Sequence, residues 1–347
     1  MSDRIKDLLH EVADGVDPGD RLDAIRAETS RGRRTGRGWW AAGGVGLLAA
    51  SVVTAVALST GGTPSSDPDP AQPAPTSPSE TATDPVSPEP PAEEQTSTVP
   101  VYYVGDTPDG PRLYREFRRL PGDPLDAAVS AAVGNETSGV GLLPLDPDYR
   151  TPWPSLTQAG ASLSPEGDAI EVDLGGDPQG NLHDRGDLSP AEAQLAVEQL
   201  IRTAQGVVGE RLPVRFLLYG DITDQVLGVP ASEPLTAGSD LAVLAHVSLT
   251  EPSEGEQVDN DEPFTVTGQA NSFEGNVVTR IQRWEGTYVV DQKPAIAGTY
   301  EDRLFPFEVI FDLTDVPPGD YVVISQTDDP SGEGRFHTDT RRITIVD

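Results

Sequence analysis

The chain of 347 residues contains no cysteine. Disulfides, thiolate metal sites, a cysteine nucleophile and a lipid-modified cysteine are excluded together. The compartment stays open, because an exported domain with a sufficient core needs no disulfide. Positive charge is also scarce: 24 Lys and Arg stand against 57 Asp and Glu, a formal charge of −33. Such a surface repels a polyanion and offers no basic face for phosphates, which excludes nucleic acid as a partner. Apolar residues make up 36% of the chain, with 33 Pro and 35 Gly. That composition argues against one core over the whole length and for one or two domains plus unstructured chain.

The deficit of positive charge is not uniform. Residues 1–40 carry eight acids and eight bases, so the whole excess lies further on. Between the two regimes, Trp39 to Thr60 runs for 22 residues without a charge. At 1.5 Å per residue, a helix there spans the roughly 30 Å of a bilayer's hydrocarbon core. Trp39 and Trp40 stand at its start, at headgroup level, and Arg31, Arg33, Arg34 and Arg37 precede it. The next basic residue is Arg112, so the positive-inside rule puts the N-terminus in the cytoplasm and the rest outside. Ala55 to Ala57 also form an A-x-A-like cleavage site, but a leader of nearly forty residues and a long apolar run favour an uncleaved single-pass anchor.

Residues 1–38 hold one short amphipathic stripe, Ile5, Leu8, Leu9 and Val12, then a Pro-Gly break and a second short helical pattern. This is too little apolar surface for a core. It loosely resembles the N-termini of membrane proteins that hold sigma factors, which leaves a transmembrane regulator with a cytoplasmic sigma-factor partner as an alternative reading. Residues 61–98 are Pro, Ser, Thr, Ala and acid, the composition of a disordered, partly extended linker. Stretched, it reaches up to about 100 Å.

From Val99, VPVYYVG and RLYREFRRL read as strands, Asp123 and Pro124 open an Ala-rich helix, and AIEVDLG is a strand with Ile170, Val172 and Leu174 on one face. Ser189, Pro190 and Glu192 form a capping box before a helix with Leu195, Val197, Leu200, Ile201 and Ala204 as its stripe, closed by Gly206 or Gly209. LPVRFLLYGD returns as a strand. The order ββαβαβ predicts an α+β sandwich over residues 99–240. In the order and spacing of these pieces the stretch resembles the GerMN domain, named for a sporulation and germination protein.

Residues 241–347 give seven strand candidates separated by turn residues, which predicts an all-β, immunoglobulin-like sandwich. Here VSLTEPSEGEQVDNDEPFTVTGQANSFEGNVV, FPFEVIF and PPGDYVV resemble the immunoglobulin-like domain of bacterial spore germination proteins. Phe273 and Phe307 are expected in the core, and Gly275 and Gly319 in turns.

No nucleophile elbow, P-loop, dinucleotide fingerprint or H-E-x-x-H is present. The four histidines, His10, His183, His246 and His337, are scattered, so no cofactor or metal is expected. Asp259 to Glu262 and the turn from Asp328 are acidic clusters without an EF-hand pattern. Asp146, Asp148 and Trp153 form the one loop with an aromatic platform and polar neighbours that suits a sugar, and a peptidoglycan hydrolase is a second alternative built on it. The expectation is a non-enzymatic, membrane-anchored, extracytoplasmic binding or scaffolding protein of the cell envelope. Its partners would be wall glycan or envelope proteins. The two resemblances imply a sporulation- or germination-related setting. Arg outnumbers Lys 22 to 2, and the arrangement resembles actinobacterial membrane proteins.

Overall fold

The computed structural model describes residues 96–134, 143–176, 181–298, 301–328 and 334–347, all within one compact unit, Val86–Asp347. The segments 1–38 and 39–60, with Arg33, Arg34, Arg37, Trp39 and Trp40, and the linker up to residue 95 lie outside the described residues. Among the described residues no helix is long and apolar enough to cross a membrane.

The unit holds two large hydrophobic cores, one drawn from Val99 to Ala245 and one from Val247 to Ile345, and a small third cluster of Val104, Leu113 and Leu244. The first begins with a long hairpin, β1 (Thr96–Thr107) and β2 (Gly110–Pro121), so the first strand starts inside the segment expected as linker. Helix α1 (Pro124–Ala132) is capped by the Asp123 carboxylate, which accepts from the amides of Leu125 and Asp126. Strands β3 (Gln158–Leu163), β4 (Ile170–Gly175), β5 (Val214–Leu218) and β6 (Asp221–Ile222) form a sheet in that order, with β4 and β5 parallel. Between β4 and β5 runs helix α2 (Pro190–Val208). Its capping box is present as expected, it ends at the left-handed Gly209, and Val197, Leu200, Ile201 and Ala204 are buried while Leu195 is half-buried. Two short strands, β7 (Gln225–Val226) and β8 (Val229–Pro230), and the one-turn α3 (Asp240–Val243) close the domain.

The order is therefore ββαββαβ in place of ββαβαβ. The added strand, β3, has the sequence QAGASL, without an apolar alternation to announce it. It is an edge strand whose free side is occupied by α1: Ser130 Oγ donates to the Ala159 carbonyl at 2.7 Å. Side-chain bonds from a helix cover a backbone that would otherwise template further pairing.

The second domain is a two-sheet sandwich. Three strands, β9 (Val247–Glu251), β11 (Phe264–Ala270) and β14 (Phe305–Phe311), form one sheet in the order β14-β11-β9. The other contains β10 (Glu256–Asp259), β12 (Asn276–Arg283), β13 (Val289–Ile296), β15 (Gly319–Thr327) and β16 (Thr338–Val346), in the order β10-β16-β15-β12-β13. The seven expected strands are all present. The eighth, β10, is short and polar and pairs parallel to β16. At the edge strand β13, Lys293 Nζ reaches the Ile310 carbonyl on β14 at 2.8 Å, closing the side of the sandwich. Phe307 is buried as expected, whereas Phe273 is 58% exposed, because the turn that carries it leaves the sheet before its side chain can face the core.

Replacing Ser189 by Ala removes the bond from its hydroxyl to the Glu192 amide. The expected cost is about 1 kcal/mol, read as a lower urea midpoint with an unchanged slope.

Candidate functional site

Strand β2 alternates so that Tyr114, Glu116, Arg118 and Leu120 all point inward, placing two charges in the interior. Glu116 spends both carboxylate oxygens on the loop from 143 to 153, accepting from the amides of Asp146 (2.8 Å) and Leu145 (3.1 Å). Arg118 donates to the Tyr103 hydroxyl and the Leu143 carbonyl. The loop is thereby presented to the second domain, where β16 has the complementary anomaly. Along DTRRITIV the inward positions are Asp339, Arg341, Ile343 and Ile345.

Arg341 is 3% exposed and lies between two carboxylates from different domains. Its Nη1 is 2.7 Å from Asp146 Oδ2 and 2.9 Å from Asp339 Oδ1, and it donates to the Tyr149 hydroxyl at 2.9 Å. The Tyr149 hydroxyl donates to Asp339 Oδ1 at 2.5 Å, and the Leu249 amide to Asp339 Oδ2 at 2.5 Å. Tyr114 stacks on Tyr149 at 4.8 Å and donates to the Thr338 carbonyl. Alongside, the Arg115 amide donates to Ser248 Oγ, its guanidinium to Thr250 Oγ1, and the Ala245 amide to the Leu113 carbonyl.

Burial dominates the electrostatics. Loss of water pushes the Asp146 carboxyl up to about 7 against the pull of Arg341. The Tyr149 and Tyr114 phenols are raised by the same cause, with the Asp339 charge adding to it. Burial alone would lower Arg341, but Asp339, Tyr149 and Asp146 more than offset it and hold the guanidinium charged.

At the hairpin tip a second polar cluster joins the domains. The His337 and His246 rings stack at 4.1 Å. His337 Nδ1 accepts from the His246 amide at 3.3 Å, which assigns the ring proton to Nε2, 3.0 Å from Asp109 Oδ2. Arg335 bonds the other Asp109 oxygen and the Pro108 carbonyl. Burial lowers the His337 pKa, the Asp109 bond opposes this, and His246 adds to the lowering.

The expected sugar loop is rearranged by these contacts. Asp146 is 2% exposed against Arg341, and Trp153 is 5% exposed, its indole donating to the Ala196 carbonyl of α2 at 3.1 Å. Asp148 alone faces solvent, accepting from Thr340 Oγ1 at 3.3 Å. The three side chains do not converge on a common ligand position. Among the described residues no group of three or more His, Asp or Glu is placed to hold a metal, Asp259 to Glu262 included, and the turn at 329–333 lies outside them. His183 lies 3.8 Å from Asp224, at the surface. Tyr149, Asp339, Arg341 and His337 were not singled out from sequence. The available signal was charge at inward positions of a strand alternation, in β2 and in β16.

Residues 246–333 match the family Gmad2, the immunoglobulin-like domain of bacterial spore germination. No curated protein matches the chain. The structure is similar to the tandem GerMN domains of the sporulation protein GerM from Bacillus subtilis, at 14% identity and TM-score 0.32, covering 63% of this chain and 62% of that one. An endo-beta-1,4-mannanase from Thermotoga petrophila matches at 11% identity and TM-score 0.20, over 29% of this chain and 19% of its own. Fibronectin(III)-like modules of Clostridium thermocellum CbhA match at 10% identity and TM-score 0.20, over 28% of this chain and 93% of theirs. The chain thus spans less than two thirds of the mannanase and of the tandem GerMN structure. At these scores the structural likenesses say nothing about activity.

Two predictions follow from the seam. Arg341→Met leaves Asp146 and Asp339 buried without their counter-ion and is expected to cost about 3–5 kcal/mol, measured by urea unfolding. The pH dependence has two opposed parts. Asp146 binds its proton more tightly folded than unfolded, so its contribution is full below its ordinary value of 3.8 and is lost as pH rises to about 7. His337 binds its proton less tightly folded, so its contribution is full above its ordinary 6.5 and is lost as pH falls through the lowered value. Asp146→Asn is expected to flatten the first slope and His337→Gln the second; an Asp146→Asn chain with the parent slope would assign that titration elsewhere.

Proposed function

We propose that this chain is a non-enzymatic, membrane-anchored scaffolding or binding protein of the cell envelope, in a sporulation- or germination-related setting. The observation that carries the reading is the seam. Asp146, Asp339 and Arg341, each 3% exposed or less, are committed to fixing one domain against the other, Glu116 holds the loop that carries Asp146, and the buried Glu198 and Asp240 of the first domain are both paired with Arg202. A catalytic acid or base needs a free lone pair or proton facing a substrate. These groups face a partner within the protein, a counter-charge or a backbone amide. The hydrolase alternative requires Asp146 and Asp148 at a substrate cleft, and Asp146 is turned to Arg341.

The family match over 246–333 supports the germination-related setting, and the uncharged run from Trp39 to Thr60 supports the anchor. In this reading the N-terminus is cytoplasmic and both domains stand outside. The partners are envelope proteins or neutral wall glycan rather than anionic polymer, given the charge of −33.

The test is envelope cross-linking and pull-down with the full chain, alongside protease treatment of intact cells. The expected result is recovery of envelope protein or wall polymer above background, digestion from outside, and release from the membrane fraction when residues 39–60 are deleted. Turnover of purified peptidoglycan that is abolished by Asp148→Asn would overturn the non-enzymatic reading.

A further inference from the structure

The turn between β11 and β12, Asn271 to Asn276, is tied down from every side. Asn271 Nδ2 donates to the carbonyls of Glu301 (3.1 Å) and Arg303 (2.9 Å), and the Asn271 amide to the His246 carbonyl (2.9 Å). Ser272 is buried, and its Oγ accepts from the Asp328 amide at 2.9 Å. Asn276 Nδ2 donates to Asp328 Oδ1 at 3.1 Å, and the Ala297 amide to the Gly275 carbonyl at 2.7 Å. A Cβ on Gly275 would lie 2.4 Å from the Ala297 oxygen, so only glycine fits against the chain just past β13.

These bonds turn the Asn and Ser side chains inward and leave Phe273 and Glu274 outward. Phe273 is 58% exposed while Phe264, Phe307 and Phe311 of the same domain are buried. Glu274 has φ 57°, the left-handed region that a residue with a Cβ adopts at a cost. On the other flank of Gly275, 3.7 Å from where its Cβ would be, stands Ile296 Cγ2, and Ile296 is 74% exposed. A rigid, strained turn that holds a phenylalanine in water, beside a strand end that exposes an isoleucine, is the inverse of what stability alone selects. It matches what a binding anchor requires, since little order remains to be lost on association.

We infer that Phe273 and Ile296 form a knob that docks into an apolar socket on a protein partner, the socket rimmed by Lys or Arg. The charge around the knob selects the partner. Glu274 lies in the turn itself, Asp328 and Glu301 are bonded to its two ends through Asn276 and Asn271, and Arg303 beside them is already paired with Glu301 at 2.7 Å. A second copy of the chain would bring the same acids to the same place, and an anionic polymer would be repelled. This inference rests on the binding reading above for the existence of a partner, and names the surface that meets it.

The experiment places a photo-cross-linking benzoylphenylalanine at Pro294, exposed and two residues from Ile296, in the full chain in its native cells. A parallel chain carries it at Tyr219, an exposed aromatic of the first domain. Mass spectrometry then identifies the cross-linked partner peptide. The expected result is an adduct at position 294 on an apolar protein segment flanked by Lys or Arg. It falls about tenfold or more in Phe273→Ser, as for an interface hot spot, and is unchanged by Ile222→Ser. Glu274→Gly relieves the backbone while removing an acid, so the melting temperature is expected to rise as the adduct falls. An absent adduct at 294, one indifferent to Phe273→Ser, or one to glycan, lipid or a second copy overturns the knob. If envelope adducts at Tyr219 persist in that case, the scaffold reading survives; if both positions are silent, both fall.

Discussion

One guanidinium holds this molecule in its shape. Arg341 is contributed by the last strand of the second domain and neutralised by Asp146 from a loop of the first and by Asp339 from its own strand. Removing ions from water costs several kcal/mol each, which attraction repays only when every remaining lone pair is satisfied. The Tyr149 hydroxyl, the Leu249 amide and the Asp148 amide satisfy them. The Glu116 carboxylate in turn fixes the loop that brings Asp146 into place. Such an assembly contributes less to raw stability than an apolar seam of the same size would. What it gives is uniqueness, because any other angle between the domains strands a buried charge.

That constraint explains why the two domains are not independent beads. The long β1–β2 hairpin belongs to the first core by its inward face, yet Arg115 bonds Ser248 and Thr250, and its tip is gripped by Arg335 and His337. A hairpin of twelve-residue strands extends about 40 Å at 3.3 Å per residue. It serves as a spine on which the sandwich is mounted. The cost is borne by chemistry: the acids best shielded from solvent are the ones already paired.

Much of the fold was legible where local signals agreed. Helix α2 combines a capping box, Pro190 at its start, an apolar stripe and a terminal glycine, and all four describe the same element. Of the seven recognised strands of the sandwich, β11, β12, β14 and β16 carry period-two alternation. What escaped lacked a local signal. Strand β3 has only Ala, Gly and Ser between Gln158 and Leu163, and exists because β4 pairs with it and α1 covers it. Strand β10 is polar and exists because β16 offers an edge. Phe273 looked like core by residue type, and only the three-dimensional path of its turn puts it outside. The site was the least legible part. Asp146 and Trp153 read from sequence, with Asp148, as a sugar-contacting loop; their partners lie far along the chain, at Arg341 and on α2, and no spacing rule connects them.

The unbroken register of the hairpin has a mechanical consequence. Pairing runs from Thr96 opposite Pro121 to Thr107 opposite Gly110, and the chain enters along β1 while the second domain holds the partner strand β2 through Tyr114 and Arg115. A pull on Thr96 against the second domain is therefore directed along β1. It loads the hydrogen bonds of the whole ladder in shear together, instead of peeling them apart one after another. A strand arranged in this way resists tension far better than its thermodynamic stability alone would indicate. Any tether on the N-terminal side meets the body at a strand paired along its whole length.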